Sequence, residues 1–193
     1  MNAIAPQPQI TNKVKETLSK HMLADGFDFV MDIEKSHGSW IHDRNTGKEY
    51  LDMFSMFGSA SIGYNHPYLV EKSAWLGKMA VNKPTLADVY SQEFADFMEV
   101  FSRVAIPEEL QYTFFIEGGT MGVENAMKAC FDWKTRKNFE KGIDHEAGIC
   151  IHFKQAFHGR SGYTLSLTNT SDPRKYQYFS KFDWPRIINP HLS

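Results

Sequence analysis

YTFFIEGGTMGVENAMKACFDWKTRKN, running from Tyr112 to Asn138, is the stretch that decides the fold. It opens on Tyr112-Thr113-Phe114-Phe115-Ile116, an apolar run whose aromatic and β-branched residues predict a buried strand. Glu117-Gly118-Gly119-Thr120 breaks that run. Val123, Ala126, Met127, Cys130 and Trp133 then recur three and four residues apart, which predicts a helix with those residues on its apolar face. Strand, glycine turn and helix start aim backbone N–H groups and the positive end of a helix dipole at one point, where an anion such as phosphate binds. The glycines at 118, 119 and 122 do not make a G-x-G-x-x-G, and no Gly-Lys-Ser/Thr follows to make a Walker loop. From this stretch alone two readings stand, an anion site and a tight turn that needs glycine only for backbone freedom.

Downstream, Gly148 precedes Ile149-Cys150-Ile151-His152-Phe153, a second predicted buried strand. Strand, helix and strand at this spacing predict a right-handed βαβ unit in a parallel sheet. Ligands on such sheets bind at the carboxyl ends of strands. Gly118-Gly119-Thr120 follows one such end and Ala156-Phe157-His158-Gly159-Arg160 the other, so the two loops are expected to converge and to favour the anion site.

Upstream, residues 1 to 10 are Pro- and Gln-rich, expected to be disordered or draped on a partner, and a short helix is predicted from Thr11 to about Leu23 with Val14, Leu18 and Met22 on one face. Phe27 to Ile33, Ser39 to His42 and Glu49 to Leu51 read as three strands of a small antiparallel meander, with Asp43 to Gly47 as a turn. Met53 to Pro67 is rich in small residues, with Gly58 and Gly63 among them. It reads either as backbone packed closely on another subunit or a ligand, or as a loop crossing between domains. Helices are predicted from Pro67 to about Met79 and from Asp88 to Val104, the second with Tyr90, Phe94, Phe97, Phe101 and Val104 as a core stripe.

With 193 residues, 42% of them apolar and 14% aromatic, the chain suffices for one packed domain or parts of two. A net charge of −2 supplies no basic field for nucleic acid or an anionic membrane. Cys130 and Cys150 stand in no C-x-x-C or metal-ligand spacing and read as buried free thiols, with no metal site. No basic-then-apolar leader and no apolar run of membrane length is present, and the expectation is a soluble cytoplasmic protein.

Phe115-Ile116-Glu117-Gly118-Gly119-Thr120 with Val123-Glu124-Asn125-Ala126-Met127-Lys128 resembles the phosphate-cup segment of class III aminotransferases, which use pyridoxal 5′-phosphate. Phe157 to Thr168 is similar to the segment that presents an aromatic ring to the cofactor's pyridine. Within the class the details are closest to the L-lysine 6-aminotransferases: the Gly-Gly cup, Phe131-Asp132-Trp133-Lys134, Lys181-Phe182-Asp183-Trp184-Pro185-Arg186, and Asn82-Lys83-Pro84 ahead of Asp88-Val89-Tyr90-Ser91.

The resemblance implies an α/β fold, the N-terminal part of a fold type I pyridoxal-phosphate-dependent transferase. Residues 1–67 would contribute to the small domain and 68–193 would form the first part of the cofactor-binding large domain. It implies cofactor contacts from Gly118, Gly119 and Thr120 to the phosphate, Phe157 on the ring with His158 beside it, and Arg160 on the substrate α-carboxylate. Glu117 would help to fix the site or act as a local cap partner. The implied reaction moves the terminal amine of L-lysine to 2-oxoglutarate, with ornithine, a γ-amino acid, or a non-catalytic fragment holding half a phosphate site as alternatives. The partners are an amino donor and a 2-oxo acid acceptor, in a homodimer when complete. The lysine that forms the family's Schiff base, and the acid that holds the pyridine nitrogen, are expected beyond Ser193. The 193-residue chain is therefore expected to be an inactive N-terminal portion with no catalytic residue of its own. Residues 163 to 168 read as strand by propensity, whereas the family implies a helix opened by Ser161-Gly162.

Overall fold

The helix predicted after the paired glycines is the longest element of the computed structural model, which describes residues 13–83 and 88–190. The expectations for residues 1 to 10, the helix start at Thr11, and Pro84 of the Asn82-Lys83-Pro84 motif lie outside the described residues. The chain forms two compact units, Met1–Arg103 and Val104–Ser193.

In the first unit, α1 (Lys13–Ser19) is followed by the hairpin β1 (Trp40–His42) and β2 (Glu49–Leu51). The hairpin is antiparallel, with Trp40 opposite Leu51, Ile41 opposite Tyr50 and His42 opposite Glu49. Its turn is organised by Asp43, which is buried. The Asp43 carboxylate accepts from the N–H groups of Val30 and Asn45 and from the Thr46 hydroxyl, and these bonds hold its pKa down against burial. The strand expected over Phe27 to Ile33 is reduced to a single antiparallel bridge, Met31 to Asp43. The segment runs beside β1, but the Asp43 side chain takes the N–H of Val30 that a ladder would use.

The small-residue run folds back on its own chain. Gly38 and Tyr64 exchange two backbone hydrogen bonds of 2.8 Å, and a Cβ at Gly63 would lie 2.2 Å from the Gly38 carbonyl oxygen, so only glycine permits this approach. The turn α2 (Ser55–Gly58) is left-handed, with φ of 49°, 48° and 58° at Ser55, Met56 and Phe57. Asp52 holds it, accepting at 2.8 Å from the N–H groups of Phe54 and Ser55 and at 2.6 Å from the Tyr64 hydroxyl, whose pKa is pushed up to about 12. The helix predicted after Pro67 is two, α3 (Pro67–Glu71) and α4 (Ser73–Asn82), broken at Lys72. The helix predicted from Asp88 begins at Gln92, so Tyr90 falls outside it; α5 (Gln92–Val104) carries the rest of the predicted stripe, but none of its residues is buried. Phe94, Phe97 and Phe101 instead stack on one another along the helix at 6.2 and 5.3 Å.

In the second unit, α6 (Gly119–Glu140) packs on α7 (Gly162–Leu167), and β3 (His152–Phe153) pairs in parallel with β4 (Arg186–Ile187). Met127, Leu167 and Trp184 form the core, with Val123, Phe131, Cys150 and Tyr163 packed against them. Phe182 and Trp184 stack at 5.0 Å, which gives the Phe182-Asp183-Trp184 motif its packing role. The helix implied by the resemblance at 163–168 is the one that forms, against strand propensity.

Four expectations fail here. Tyr112 to Ile116 forms no strand and is exposed, Tyr112 by 94% and Phe114 by 74%. The parallel pairing is consequently between β3 and β4 across α7, not between residues 112–116 and 149–153 across α6. On α6, Val123 and Met127 face inward as predicted, but Ala126, Cys130 and Trp133 are exposed, and Glu124 and Phe131 turn toward the core instead. Cys130 is thus an exposed thiol, and Cys150 is half-buried, its pKa raised by desolvation and by Cys130.

Candidate active site

The site begins where α6 begins. Gly118 is the helix N-cap, at φ 80° and ψ 148°, a region open essentially to glycine alone, and no side chain caps the helix. The first N–H groups of an α-helix have no partner inside it, so those of Gly119, Thr120 and Met121 are available to an external acceptor. Glu117 is exposed and does not cap the helix, contrary to one of its expected roles. Nothing lies within 4 Å of a Cβ built at Gly119, so the conformational demand for glycine falls on Gly118.

The second loop meets the first. Gly159 is buried, with φ 115°, and a Cβ there would lie 2.4 Å from Thr120 Oγ1 and 2.8 Å from Thr120 Cβ. Only a glycine lets the chain cross this close to the first turn of α6. The predicted convergence of Gly118-Gly119-Thr120 with Ala156 to Arg160 is therefore present, through Thr120 and Gly159.

The sequence-predicted residues occupy distinct positions around that contact. Phe157 is 58% exposed and so is no core aromatic. His158 is half-buried, its N–H donating at 3.0 Å to Thr168 Oγ1. Arg160 is exposed and, among the described residues, pairs with no carboxylate. An aromatic face and an unpaired guanidinium thus flank one buried glycine beside an uncapped helix N-terminus. That arrangement suits a planar, anionic cofactor and a carboxylate-bearing substrate.

α7 holds this loop. Thr168 Oγ1 donates at 2.6 Å to the Gly159 carbonyl, and Asn169 Oδ1 accepts at 2.6 Å from Gln155 N–H, a residue at φ 58°. The other end of α7 is capped by Glu124 of α6. Its carboxylate accepts from Ser161 Oγ at 2.7 Å, from Tyr163 N–H at 3.0 Å and from Thr164 N–H at 3.2 Å. Burial alone would raise the Glu124 pKa, but these donors, with the charge of Lys128, hold it below the usual carboxylate range. Hydrogen bonds to a charged group contribute about 1.5–3 kcal/mol each, which is how a buried carboxylate is tolerated on a helix's apolar face.

Sequence reasoning assigned no task to Glu124. The usable signal was a carboxylate four residues after Thr120, on the same helical face, with a Ser-Gly helix start elsewhere in the chain. His152 was also missed. It is buried, Nδ1 bonding the Cys150 carbonyl at 3.4 Å and Nε2 accepting from Arg186 Nε at 2.9 Å. It fastens β3 to β4.

Residues 22–189 match the family profile described as Aminotransferase class-III. The L-lysine-epsilon aminotransferase of Mycobacterium tuberculosis (strain ATCC 25618 / H37Rv) is 49% identical over 194 residues, 98% of this chain and 43% of that protein. The L-lysine-epsilon aminotransferase of Amycolatopsis lactamdurans is 47% identical over 185 residues, covering 93% of this chain and 40% of that protein. Among solved structures, a lysine aminotransferase from M. tuberculosis in the internal aldimine form superposes with a TM-score of 0.86 at 50% identity, over 94% of this chain and 42% of that one. The chain spans less than half the length of the curated relatives it matches. On the profile match and these identities, the chain belongs to the class III aminotransferases.

Proposed function

We propose that this chain is the phosphate-cup portion of a pyridoxal-phosphate-dependent aminotransferase that moves the terminal amino group of L-lysine to 2-oxoglutarate. The observation that carries the reading is the Thr120–Gly159 contact, which brings an uncapped helix N-terminus to the loop bearing Phe157 and Arg160. The identity to L-lysine-epsilon aminotransferases supports the choice of lysine within the class.

The residues present fit the cofactor. Gly118 puts no side chain over the start of α6, and the N–H groups of Gly119 and Thr120 with the Thr120 hydroxyl would hold the phosphate. Phe157 would cover one ring face and exclude water from it, with His158 packed beside it. Arg160 would bind the substrate α-carboxylate through its planar fork, placing the distal amine toward the ring. Pyridoxal phosphate supplies the electron sink for transamination when bound.

In the complete protein, residues 1–67 belong to the small domain and 68–193 begin the large, cofactor-binding one. The protein is a homodimer in the cytoplasm: Met53 and Phe57, 87% and 92% exposed around the left-handed turn, suit a subunit interface, and two free thiols suit a reducing compartment. The test is to load the complete protein with pyridoxal phosphate and follow glutamate formation from 2-oxoglutarate with lysine, ornithine and 4-aminobutyrate in parallel. Lysine should be used fastest. Preference for another donor moves the enzyme elsewhere in the class, and absence of cofactor uptake removes the reading.

A further inference from the structure

We propose that Glu124 is a positioning residue, one that sets where Phe157 and Arg160 stand over the α6 N-terminus by tethering α7 to α6. The proposal rests on the reading of that N-terminus as the phosphate cup. Thr120 and Glu124 are one helical turn apart and so share a face of α6. They meet loop residues two apart, Thr120 against Gly159 and Glu124 against Ser161. Glu124 also takes the N–H groups of Tyr163 and Thr164, so the whole N-terminus of α7 is fixed by a carboxylate from the cup helix. From the far end of α7, Thr168 holds His158 and Gly159, and Asn169 holds Gln155 and Ala156. The Phe157–Arg160 loop therefore hangs between two ends of one short helix, and Glu124 sets the place of that helix.

A carboxylate is needed for this. Three donors converge on it, and a glutamine in its place would turn an N–H group toward at least one of them. α7 has only six residues, too short to be stable without its cap and packing.

The experiment uses the complete protein with Glu124→Gln, Glu124→Ala, and the double change Glu124→Ala with Ser161→Asp. Ser161 is itself the N-cap of α7 and forms a capping box with Thr164; an aspartate there keeps and strengthens this local cap without restoring the link to α6. In cofactor-free protein, Glu124→Ala should speed amide exchange over residues 158–168 at least tenfold. With cofactor, KM for the amino donor should rise tenfold or more while kcat changes less, and the visible circular dichroism of the bound cofactor should shift. Glu124→Gln should show smaller changes of the same sign, and decides the matter if the alanine variant does not fold. The double variant should regain exchange protection over 163–168 but keep the raised KM and the altered dichroism.

Recovery of KM together with protection in the double variant would mean that Glu124 only caps α7, and the proposal falls. It falls equally if Glu124→Ala leaves exchange and KM unchanged. If the parent protein takes up no pyridoxal phosphate yet shows the expected exchange pattern, the functional reading fails and the tether itself stands.

Discussion

Two apolar stretches flank the paired glycines, and they end differently. The helix after them packs Val123, Met127 and Phe131 into a core, whereas Tyr112 to Ile116 before them forms no regular element and is exposed. Both were predicted to be buried. An α-helix satisfies its own backbone within the segment and needs only one packed face, which α7 and Trp184 give α6. A strand takes every backbone bond from another strand, and among the described residues none pairs with 112–116. Local sequence is thus a better guide to an element that completes itself than to one that must be completed.

The largest test of the α6 side is Gly159→Val in the complete protein. A side chain at φ 115° costs about 1–3 kcal/mol of backbone strain, and one driven into Thr120 costs about 1–3 more in overpacking. Cofactor titration should show at least a thirtyfold loss of affinity, and Thr120→Gly in the same protein should restore part of it. Unchanged affinity would mean that the two loops do not meet at the cofactor. Next comes Arg160→Ala. Leaving a substrate carboxylate unpaired in a partly dry site costs on the order of 2–5 kcal/mol, and KM for lysine and for 2-oxoglutarate should both rise. Cofactor absorbance should persist, since the proposed phosphate contacts come from Gly118, Gly119 and Thr120. Thr120→Ala removes one hydroxyl and keeps the N–H, so affinity for the cofactor should drop by about 1.5–3 kcal/mol, read in the same titration.

What was legible divides along the same line. The glycine turn and the long helix follow from short motifs whose physics is local; the convergence of the two loops was expected from a strand pairing that does not form, and it rests instead on the Thr120–Gly159 approach. Glu124 lies within the Val123 to Lys128 motif, but hydrophobic periodicity ranks a glutamate as a surface residue, so the pattern places Cys130 and Trp133 on the inner face in place of Glu124 and Phe131. The donors that draw Glu124 inward lie 37 to 40 residues away. Helix α7 was legible only through family resemblance, because Tyr-Thr-Leu-Ser-Leu-Thr alternates like a strand. Its cap comes from another element, which no window along the chain contains.

A smaller effect separates the two regions by pH. Burial lowers the His152 pKa from its ordinary 6.5. The positive charge of Arg186 lowers it further, against the bond to the Cys150 carbonyl. The unfolded chain therefore takes up the proton first. The stabilisation from neutral His152 is fully present above about pH 6.5 and is lost as pH falls through the folded value, at about 1.4 kcal/mol per unit of displacement. Glu124, also lowered, acts in the same direction from its ordinary 4.5 downward. Urea unfolding between pH 4.5 and 7.5 should show the first loss in the unit that contains β3, and His152→Asn should flatten it. A slope that persists in the variant would assign the loss to another group.

The smallest effect belongs to the other side of the comparison. Phe114 is 74% exposed, so Phe114→Ala in the 193-residue chain should change its unfolding free energy by no more than about 0.5 kcal/mol. Met127→Ala, at a residue only 7% exposed, should cost about 2–5 kcal/mol in the same chain. In a longer protein that pairs residues 112–116 as a core strand, Phe114→Ala should instead cost about 3–5 kcal/mol, while the Met127 value stays where it was. That inequality is the sharpest form of the contrast, because only the partner of residues 112–116 differs between the two measurements. Concentration serves as the control. An exposed apolar run invites edge pairing between copies, so a Phe114→Ala effect above about 1 kcal/mol in the short chain should fade on dilution. If it does not fade, the segment packs within its own chain, and the difference between the helix and the strand is smaller than their exposures indicate.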